Sequence, residues 1–136
     1  MELRRVVITG LGTINPLGNS VEEYFTNLNN GVSGAGLITR FDASLFKTRF
    51  ACEVKNFNPT DFGIDRKEAR KMDRFSQFAA VAADQAVADS KIDLETVNKK
   101  RVGVIVGSGI GGIETLTEEI MGYSEGGKVP RFNPFL

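Results

Sequence analysis

Residues 102–113 read VGVIVGSGIGGI, a run of β-branched residues that ends in clustered glycines, and the stretch ETLTEEIMGY follows directly. The run predicts a buried strand over Arg101–Val106, and the following stretch predicts a helix over 112–122. The pattern G-x-G-x-x-G is formed by Gly107, Gly109 and Gly112. Such glycines either cradle a phosphate at the start of a helix or permit a tight turn with close backbone packing.

Strands and helices alternate along the rest of the chain as well. Further strands are predicted at Arg5–Thr9 and, more weakly, at Arg49–Val54; further helices are predicted at Ser20–Asn30, 66–91 and Asp93–Asn98. This alternation predicts an α/β fold with parallel strand pairing. Because a parallel sheet must be covered on both faces and usually needs more strands, we expect the chain to be the front part of a larger fold.

Composition excludes several classes of function. Seventeen basic and seventeen acidic residues cancel, which argues against bulk binding of nucleic acid. The chain has no histidine, so neither a Ser-His-Asp or Cys-His arrangement nor a histidine metal site can form within it. The only cysteine, Cys52, lies in a predicted strand and is interpreted as a small apolar filler. A lone cysteine and an N-terminal apolar run too short for a signal peptide or a membrane span predict a cytoplasmic protein.

The glycine cluster stands in an unusual place for a dinucleotide site. A Rossmann fingerprint belongs in the first βαβ unit and needs an acidic residue at the end of a second strand. Glu125 has roughly that spacing, but no strand is predicted before it. A dinucleotide-binding module is therefore the weaker alternative to a packed turn.

Ile110 is the one bulky residue among the small residues of this cluster. Its side chain would project from a loop at the carboxyl end of a strand, where open α/β sheets bind ligands, and an apolar projection suits an apolar substrate. The alternative is that Ile110 fills the core, and the pattern by itself favours that alternative.

The long predicted helix carries cations in its first turns, and these form a basic stripe on one face: Lys67, Arg70, Lys71 and Arg74. The helix dipole is positive there, so each cation costs a few tenths of a kcal/mol, up to about 1 kcal/mol. Cations placed at the positive end of a helix dipole, with no evident benefit to stability, indicate a function, here the binding of an anionic partner. The alternative, which the pattern alone favours, is a solvated charged face. Lys128 and Arg131 would extend such a patch.

Four segments together resemble a known family, the β-ketoacyl-acyl-carrier-protein synthases of the thiolase fold. The segments are RRVVITGLGTINPLGNSVEE, RFDASLFKTRFACEV, RKEARKMDRFSQFA and GVIVGSGIGGIETLTEE, and they follow in the order and spacing of the family. The resemblance covers the whole chain, 1–136, but only about the first third of a family member. It implies the N-terminal portion of one thiolase-like domain, with a mixed, mostly parallel sheet covered by helices.

The resemblance also implies a reaction. Family members transfer an acyl group to an active-site cysteine and condense it with malonyl-carrier protein after decarboxylation, using no metal and no nucleotide cofactor. Ile110 resembles the residue that gates the acyl pocket. Lys67, Arg70 and Lys71, called the docking cluster below, resemble the patch that binds the acidic acyl carrier protein. Family members are homodimers, and neither a nucleic-acid partner nor a membrane span is implied.

The catalytic residues of the family lie beyond the matched segment. Cys52 is not the family nucleophile, which by the resemblance lies beyond the matched segment. We therefore expect no catalytic residue in this chain and no condensation by this chain alone. A non-catalytic relative, such as the chain-length-factor partner of a polyketide synthase, is the second hypothesis.

Overall fold

The computed structural model describes residues 4–127. The chain forms two compact units. Of the described residues, 4–58 and 81–97 belong to the first unit, and 59–80 and 98–127 belong to the second.

The first unit contains helix α1 and a two-stranded sheet. Helix α1, Val21–Asn29, begins at Ser20, whose Oγ accepts a hydrogen bond from the Glu23 amide at 3.1 Å. Glu23 accepts in return from the amide of Asn19 at 2.7 Å, the residue before the N-cap, whereas a capping box would use the amide of Ser20 itself. The helix ends at Asn30, and Gly31 follows with φ +67°.

Strands β1, Ala35–Leu37, and β2, Phe50–Cys52, pair antiparallel with Gly36 opposite Ala51. The Glu53 carboxylate extends this pairing: it accepts from the amide of Thr39 at 3.1 Å and from its hydroxyl at 2.6 Å. These hydrogen bonds from Thr39 lower the pKa of Glu53. The predicted strand at 49–54 is thus confirmed in shorter form, whereas β1 was not predicted because its short Ala-Gly-Leu run has no strand pattern.

Residues 10–19 lie against the C-terminal half of helix α3, Arg74–Ser90. A Cβ on Gly10 or Gly12 would overlap backbone atoms of Ala86 and its neighbours, so only glycine permits this approach. Two side chains on α3 then accept loop amides: Asp89 from Leu11 at 2.9 Å and Gln85 from Thr13 at 3.0 Å. The small alanines of α3 therefore permit close packing, and their neighbour is a glycine loop.

Two predicted strands form no ladder within the described part of the chain. Residues 5–9 and 102–106 lack regular secondary structure, and Arg101 ends a short 3₁₀ turn, Lys99–Arg101. Their apolar side chains lie in solvent: Val6 is 90% exposed and Ile105 is 99% exposed. A β-branched run becomes a strand only when another strand offers its backbone groups, and no described residue pairs with either run.

A predicted short helix at Asp93–Asn98 is also wrong. This segment forms turns, in which the Asp93 carboxylate accepts from the amide of Glu95 at 2.9 Å and from the hydroxyl of Thr96 at 3.0 Å. The bond to the Glu95 amide resembles that of a helix N-cap, but no regular helix follows it. Both hydrogen bonds lower the pKa of Asp93.

The second unit contains a 3₁₀ turn at Pro59–Phe62, helices α2 (Arg66–Ala69) and α4 (Ile113–Glu125), and the first turns of α3. The long helix predicted over 66–91 is therefore two helices. At the break, the Gln77 side-chain amide donates to the carbonyls of Ala69 at 2.8 Å and Met72 at 3.0 Å. These bonds help to satisfy carbonyls that the end of α2 leaves without a helical partner, and α3 begins one turn later.

Across residues 4–127, no helix has the length and apolar character needed to cross a membrane.

Candidate functional site

The docking cluster lies at the end of α2. Lys67 is in the helix, Arg70 is its C-terminal cap, and Lys71 follows in a turn; all three are exposed. Cations at the C-terminal end of a helix face the negative end of its dipole. The electrostatic cost predicted for Arg70 and Lys71 was therefore wrong, because the break places them at and just beyond the C-terminal end of α2; Lys67 is still the second residue of a helix.

Two local contacts shape the charge of this surface. The Lys71 ammonium pairs with the Glu68 carboxylate at 2.7 Å, a half-exposed pair worth less than about 1 kcal/mol. The Arg74 guanidinium lies 5.2 Å from the centre of the Phe78 ring, a cation–π contact on α3. Arg74 thus belongs to another element than the docking cluster. Lys128 and Arg131, predicted to extend the patch, lie outside the described residues.

The glycine turn, residues 107–112, precedes α4 in the same unit. Ile110 is 77% exposed at its tip, so it is not part of a core formed by residues 4–127. The hydroxyl oxygen of Ser108 accepts from the amide of Gly111 at 3.0 Å and closes the turn. Gly111 has φ +81°, a conformation that favours glycine.

Gly112 is required for a different reason, a close approach to Asp73. Gly112 is the N-cap residue of α4 and offers no side chain to cap the helix. A Cβ at this position would overlap the carboxylate of Asp73. The same carboxylate accepts a hydrogen bond from the Thr115 hydroxyl in the first turn of α4. Asp73 therefore places a negative charge at the positive end of the α4 dipole.

The glycines of the cluster are not all needed for close packing. A Cβ on Gly107 or Gly109 would meet open space, so neither glycine is required by close packing among the described residues. The turn is tight only at Gly111 and Gly112. Glu125, the acidic residue considered for a dinucleotide site, is the last residue of α4 and not the end of a strand.

Sequence reasoning identified Ile110 and the docking cluster as candidates but missed Asp73 and Thr115. A signal was present: a glycine N-cap leaves the first amides of α4 without a capping side chain, so another residue must complement them. In the structure, the hydrogen bond between Thr115 and Asp73 joins the helix that follows the glycine turn to the segment that follows the docking cluster.

Cys52 belongs to the first unit, whereas the candidate site belongs to the second. Its side chain is exposed on β2, so its interpretation as a buried filler was wrong. The reason is that the face of β2 that carries Cys52 is uncovered in the described structure.

Comparison with known proteins gives the family. A sequence profile described as "Beta-ketoacyl synthase, N-terminal domain" matches residues 3–132. The chain is 48% identical over 119 residues to 3-oxoacyl-[acyl-carrier-protein] synthase 2 of Synechocystis sp., covering 88% of this chain and 28% of that protein. It is 50% identical over 112 residues to the protein of that name from Staphylococcus aureus, covering 82% of this chain and 27% of the relative. The chain thus spans little more than a quarter of these relatives.

Solved structures give the same fold. The ishigamide ketosynthase/chain length factor superposes with a TM-score of 0.83 at 33% identity, covering 97% of this chain and 32% of that one. A β-ketoacyl synthase from Burkholderia phymatum superposes with a TM-score of 0.72 at 28% identity, covering 98% and 33%. The predicted fold class, an incomplete thiolase-like α/β fold, is confirmed. The match to the family profile runs along nearly the whole sequence, and the chain belongs to the β-ketoacyl synthase family as a portion of its N-terminal domain.

Proposed function

We propose that this chain is the N-terminal segment of a condensing enzyme of fatty-acid elongation, a 3-oxoacyl-acyl-carrier-protein synthase. Within it, the chain supplies the surface that binds acyl carrier protein and the turn that bounds the acyl pocket. The observation that carries the proposal is the exposed docking cluster at the end of α2, in the same unit as the exposed Ile110. About half of the residues aligned with synthases of that name are identical.

The reaction of the whole protein is a decarboxylative Claisen condensation. A cysteine thiolate displaces the carrier thiol from an acyl thioester; malonyl-carrier protein then loses CO₂, and its α-carbanion attacks the acyl-enzyme. A C–C bond forms, the C–S bond of the acyl-enzyme breaks, and β-ketoacyl-carrier protein leaves. The nucleophile and the histidines that assist it belong to the part of the enzyme beyond the matched segment, so the 136-residue chain alone is inactive.

The docking cluster has the chemistry to bind an acidic carrier. Three exposed cations lie within five positions of the chain, at the end of one short helix. Such a surface attracts an acidic protein and raises its rate of association at low salt. The Lys71–Glu68 pair is half-exposed, so the partner's carboxylates can compete for the Lys71 ammonium.

Ile110 has the chemistry to bound an apolar pocket. Its side chain projects from a turn that Ser108 and the positive φ of Gly111 hold in one conformation. An acyl chain that covers this side chain removes apolar surface from water, which contributes about 25 cal/mol per Å². A larger side chain at the same place would instead occupy the volume of the chain's terminal carbons.

A second candidate function is that of a non-catalytic relative, a chain-length-factor partner. The structural likeness to the ishigamide ketosynthase/chain length factor supports it, because that assembly's name contains both roles. Such a partner would share the fold and a pocket without the nucleophile. In either case we propose a dimer, with the region after the glycine turn near the two-fold axis, and a cytoplasmic location.

A condensation assay separates the candidates. Full-length protein is mixed with acyl- and malonyl-carrier protein, and the carrier products are identified by mass spectrometry alongside the released CO₂. We expect one CO₂ for each β-ketoacyl-carrier formed, and an acyl-enzyme adduct on a cysteine when malonyl-carrier is omitted. A protein that forms neither adduct nor C–C product would instead be the non-catalytic relative. The 136-residue chain is the negative control.

A further inference from the structure

The docking cluster and the glycine turn are linked by one side chain that neither motif contains. Asp73 lies two residues after Lys71 and directly before α3. Its carboxylate accepts from the Thr115 hydroxyl and occupies the space where a Cβ of Gly112 would stand. Gly112 in turn lies two residues after Ile110. A short chain of contacts therefore runs from the basic surface to the tip of the turn.

The docking end of this link is held by Gln77. The side-chain amide of Gln77 bonds the carbonyls of Ala69 and Met72, and its backbone amide donates to the carbonyl of Asp73 at 3.0 Å. The end of α2 and the backbone of Asp73 are thus fastened to the same turn of α3. The docking cluster and Asp73 are therefore joined by a contiguous set of hydrogen bonds.

The turn end of the link is supported by Asp73 from outside α4. Gly112 offers no side chain to cap α4, and the Asp73 carboxylate adds its negative charge to that of Glu114 at the first turn of the helix. Gly111 lies close to the Phe75 ring, 3.9 Å from the place where its Cβ would stand. Both contacts come from residues that directly follow the docking cluster in sequence.

We propose that Asp73 is a positioning residue that couples carrier docking to the placement of Ile110, acting through Thr115 and Gly112. This inference rests on the proposed function. Occupancy of the docking cluster and the position of the gate are then linked, so carrier binding favours the turn conformation that admits the acyl chain. Asp73 itself touches neither the carrier nor the substrate.

The test compares two kinds of substrate in the full-length enzyme. Acyl-carrier protein engages the docking cluster, whereas a short thioester such as acyl-pantetheine does not. For each, kcat/KM is measured with long and medium acyl chains in wild type, Asp73→Asn and Thr115→Val. We expect wild type to discriminate between chain lengths more strongly with carrier-bound substrate. In each variant, the ratio of kcat/KM for long chains to that for medium chains should fall by about tenfold with carrier-bound substrate. The same ratio should change little with acyl-pantetheine.

Further variants separate coupling from misfolding. Thr115→Ser keeps the hydroxyl and should retain the wild-type profile. The double variant Asp73→Asn/Thr115→Val should lose no more than either single variant, because both remove one link. Asp84→Asn, which alters an exposed carboxylate on α3, is the matched control. Additive losses in the double variant, or equal losses with carrier and pantetheine substrates, would overturn the inference.

Failure of the proposed function has a different signature. If reversal of charge in the docking cluster leaves carrier affinity unchanged and Ile110→Phe leaves the chain-length profile unchanged, the assignment of both sites is wrong. If those variants behave as expected and the Asp73 variants match wild type, only the coupling is wrong.

Discussion

At the scale of single residues, the glycine turn requires glycine at two positions for two different physical reasons, which cannot be distinguished in the sequence. Gly111 is needed for its positive φ, whereas Gly112 has an ordinary φ of −79° and is needed because the Asp73 carboxylate occupies the space of a Cβ. The motif predicts a turn here but cannot tell which glycines are required. That depends on Asp73, which lies almost forty positions away in the chain.

Gly112→Ala should therefore destabilise the full-length protein by about 1–3 kcal/mol, the usual cost of overpacking. Because the methyl group clashes with one carboxylate, adding Asp73→Ala to Gly112→Ala should restore most of the free energy of unfolding that the methyl group removes. Chemical denaturation of the four proteins of the cycle measures this. Gly109→Ala, which places its methyl group in open space, is the matched control. Equal destabilisation by Gly112→Ala with and without Asp73 would contradict the assignment.

Ile110→Phe should shorten the acyl chains that the full enzyme accepts. We expect kcat/KM for a long chain to fall by about tenfold or more relative to a short chain, because the ring occupies space that the last methylenes require. Product lengths from a condensation assay with mixed acyl primers measure the change. Ile120→Phe, which alters an exposed isoleucine on α4, is the control. An unaltered profile in Ile110→Phe would count against the gate.

At the scale of elements, local signals predicted the positions of two helices well and long-range pairing poorly. Helix α1 forms where its cap and apolar spacing place it, and α4 forms over the predicted stretch without a capping side chain and continues to Glu125. The break between α2 and α3 was not predicted, and at the break one glutamine side chain bonds carbonyls of the preceding turns. The break puts Arg70 and Lys71 at the C-terminal end of a helix instead of in its first turns. The mispredicted helix therefore also gave a wrong electrostatic environment for these two residues.

Reversing the charge of the docking cluster should weaken carrier binding without unfolding the protein. For Lys67→Glu/Arg70→Glu/Lys71→Glu we expect affinity for acyl carrier protein to fall by about a hundredfold at low salt. The difference from wild type should shrink in 1 M salt, where the Debye length is about 3 Å. Calorimetric titration at both ionic strengths measures it.

The control for this experiment changes charge by the same amount elsewhere in the second unit. Lys99, Lys100 and Arg101 form another exposed basic triplet, in a 3₁₀ turn. Their replacement by glutamate should leave carrier affinity close to that of wild type. Equal losses from both triple variants would mean that net charge, and not the docking cluster, governs binding.

The two-stranded sheet should respond to acid through Glu53. Hydrogen bonds from Thr39 lower the pKa of Glu53 in the folded state, so its contribution to stability is complete at pH above the unfolded pKa. That contribution is lost as the pH falls through the lower, folded value. The NMR shift of the Thr39 amide should follow this titration and become flat in Glu53→Gln. Asp42→Asn should leave the Thr39 titration intact; a flat Thr39 signal in wild type would contradict the contact.

At the scale of the whole molecule, the described chain has a large apolar surface and few buried apolar residues. Of residues 4–127, the buried hydrophobic ones are Ala43, Phe57 and Val81. The two β-branched runs at 5–9 and 102–106 lie unpaired. The sequence pattern predicted both runs as strands of a parallel sheet, but pairing is a property of residues distant in the chain, and no local pattern contains it.

The isolated 136-residue chain should therefore lack a sharp thermal unfolding transition. We expect helical circular dichroism, strong binding of the dye ANS and no cooperative heat-absorption peak by calorimetry. The full-length protein should show such a peak and bind little ANS. A cooperative peak from the isolated chain with low ANS binding would show that these residues suffice for a packed core.

The unpaired run at residues 5–9 also constrains how the full protein is made. The matched family region is an N-terminal domain, so in a protein of the relatives' length these residues leave the ribosome long before most of the remaining chain. At about 5–20 residues per second, translation of that remainder takes on the order of tens of seconds. Throughout that interval the apolar β-branched segment is outside the ribosome without the strands that would pair with it. We expect this apolar segment to be open to non-native contacts until its partner strands are made.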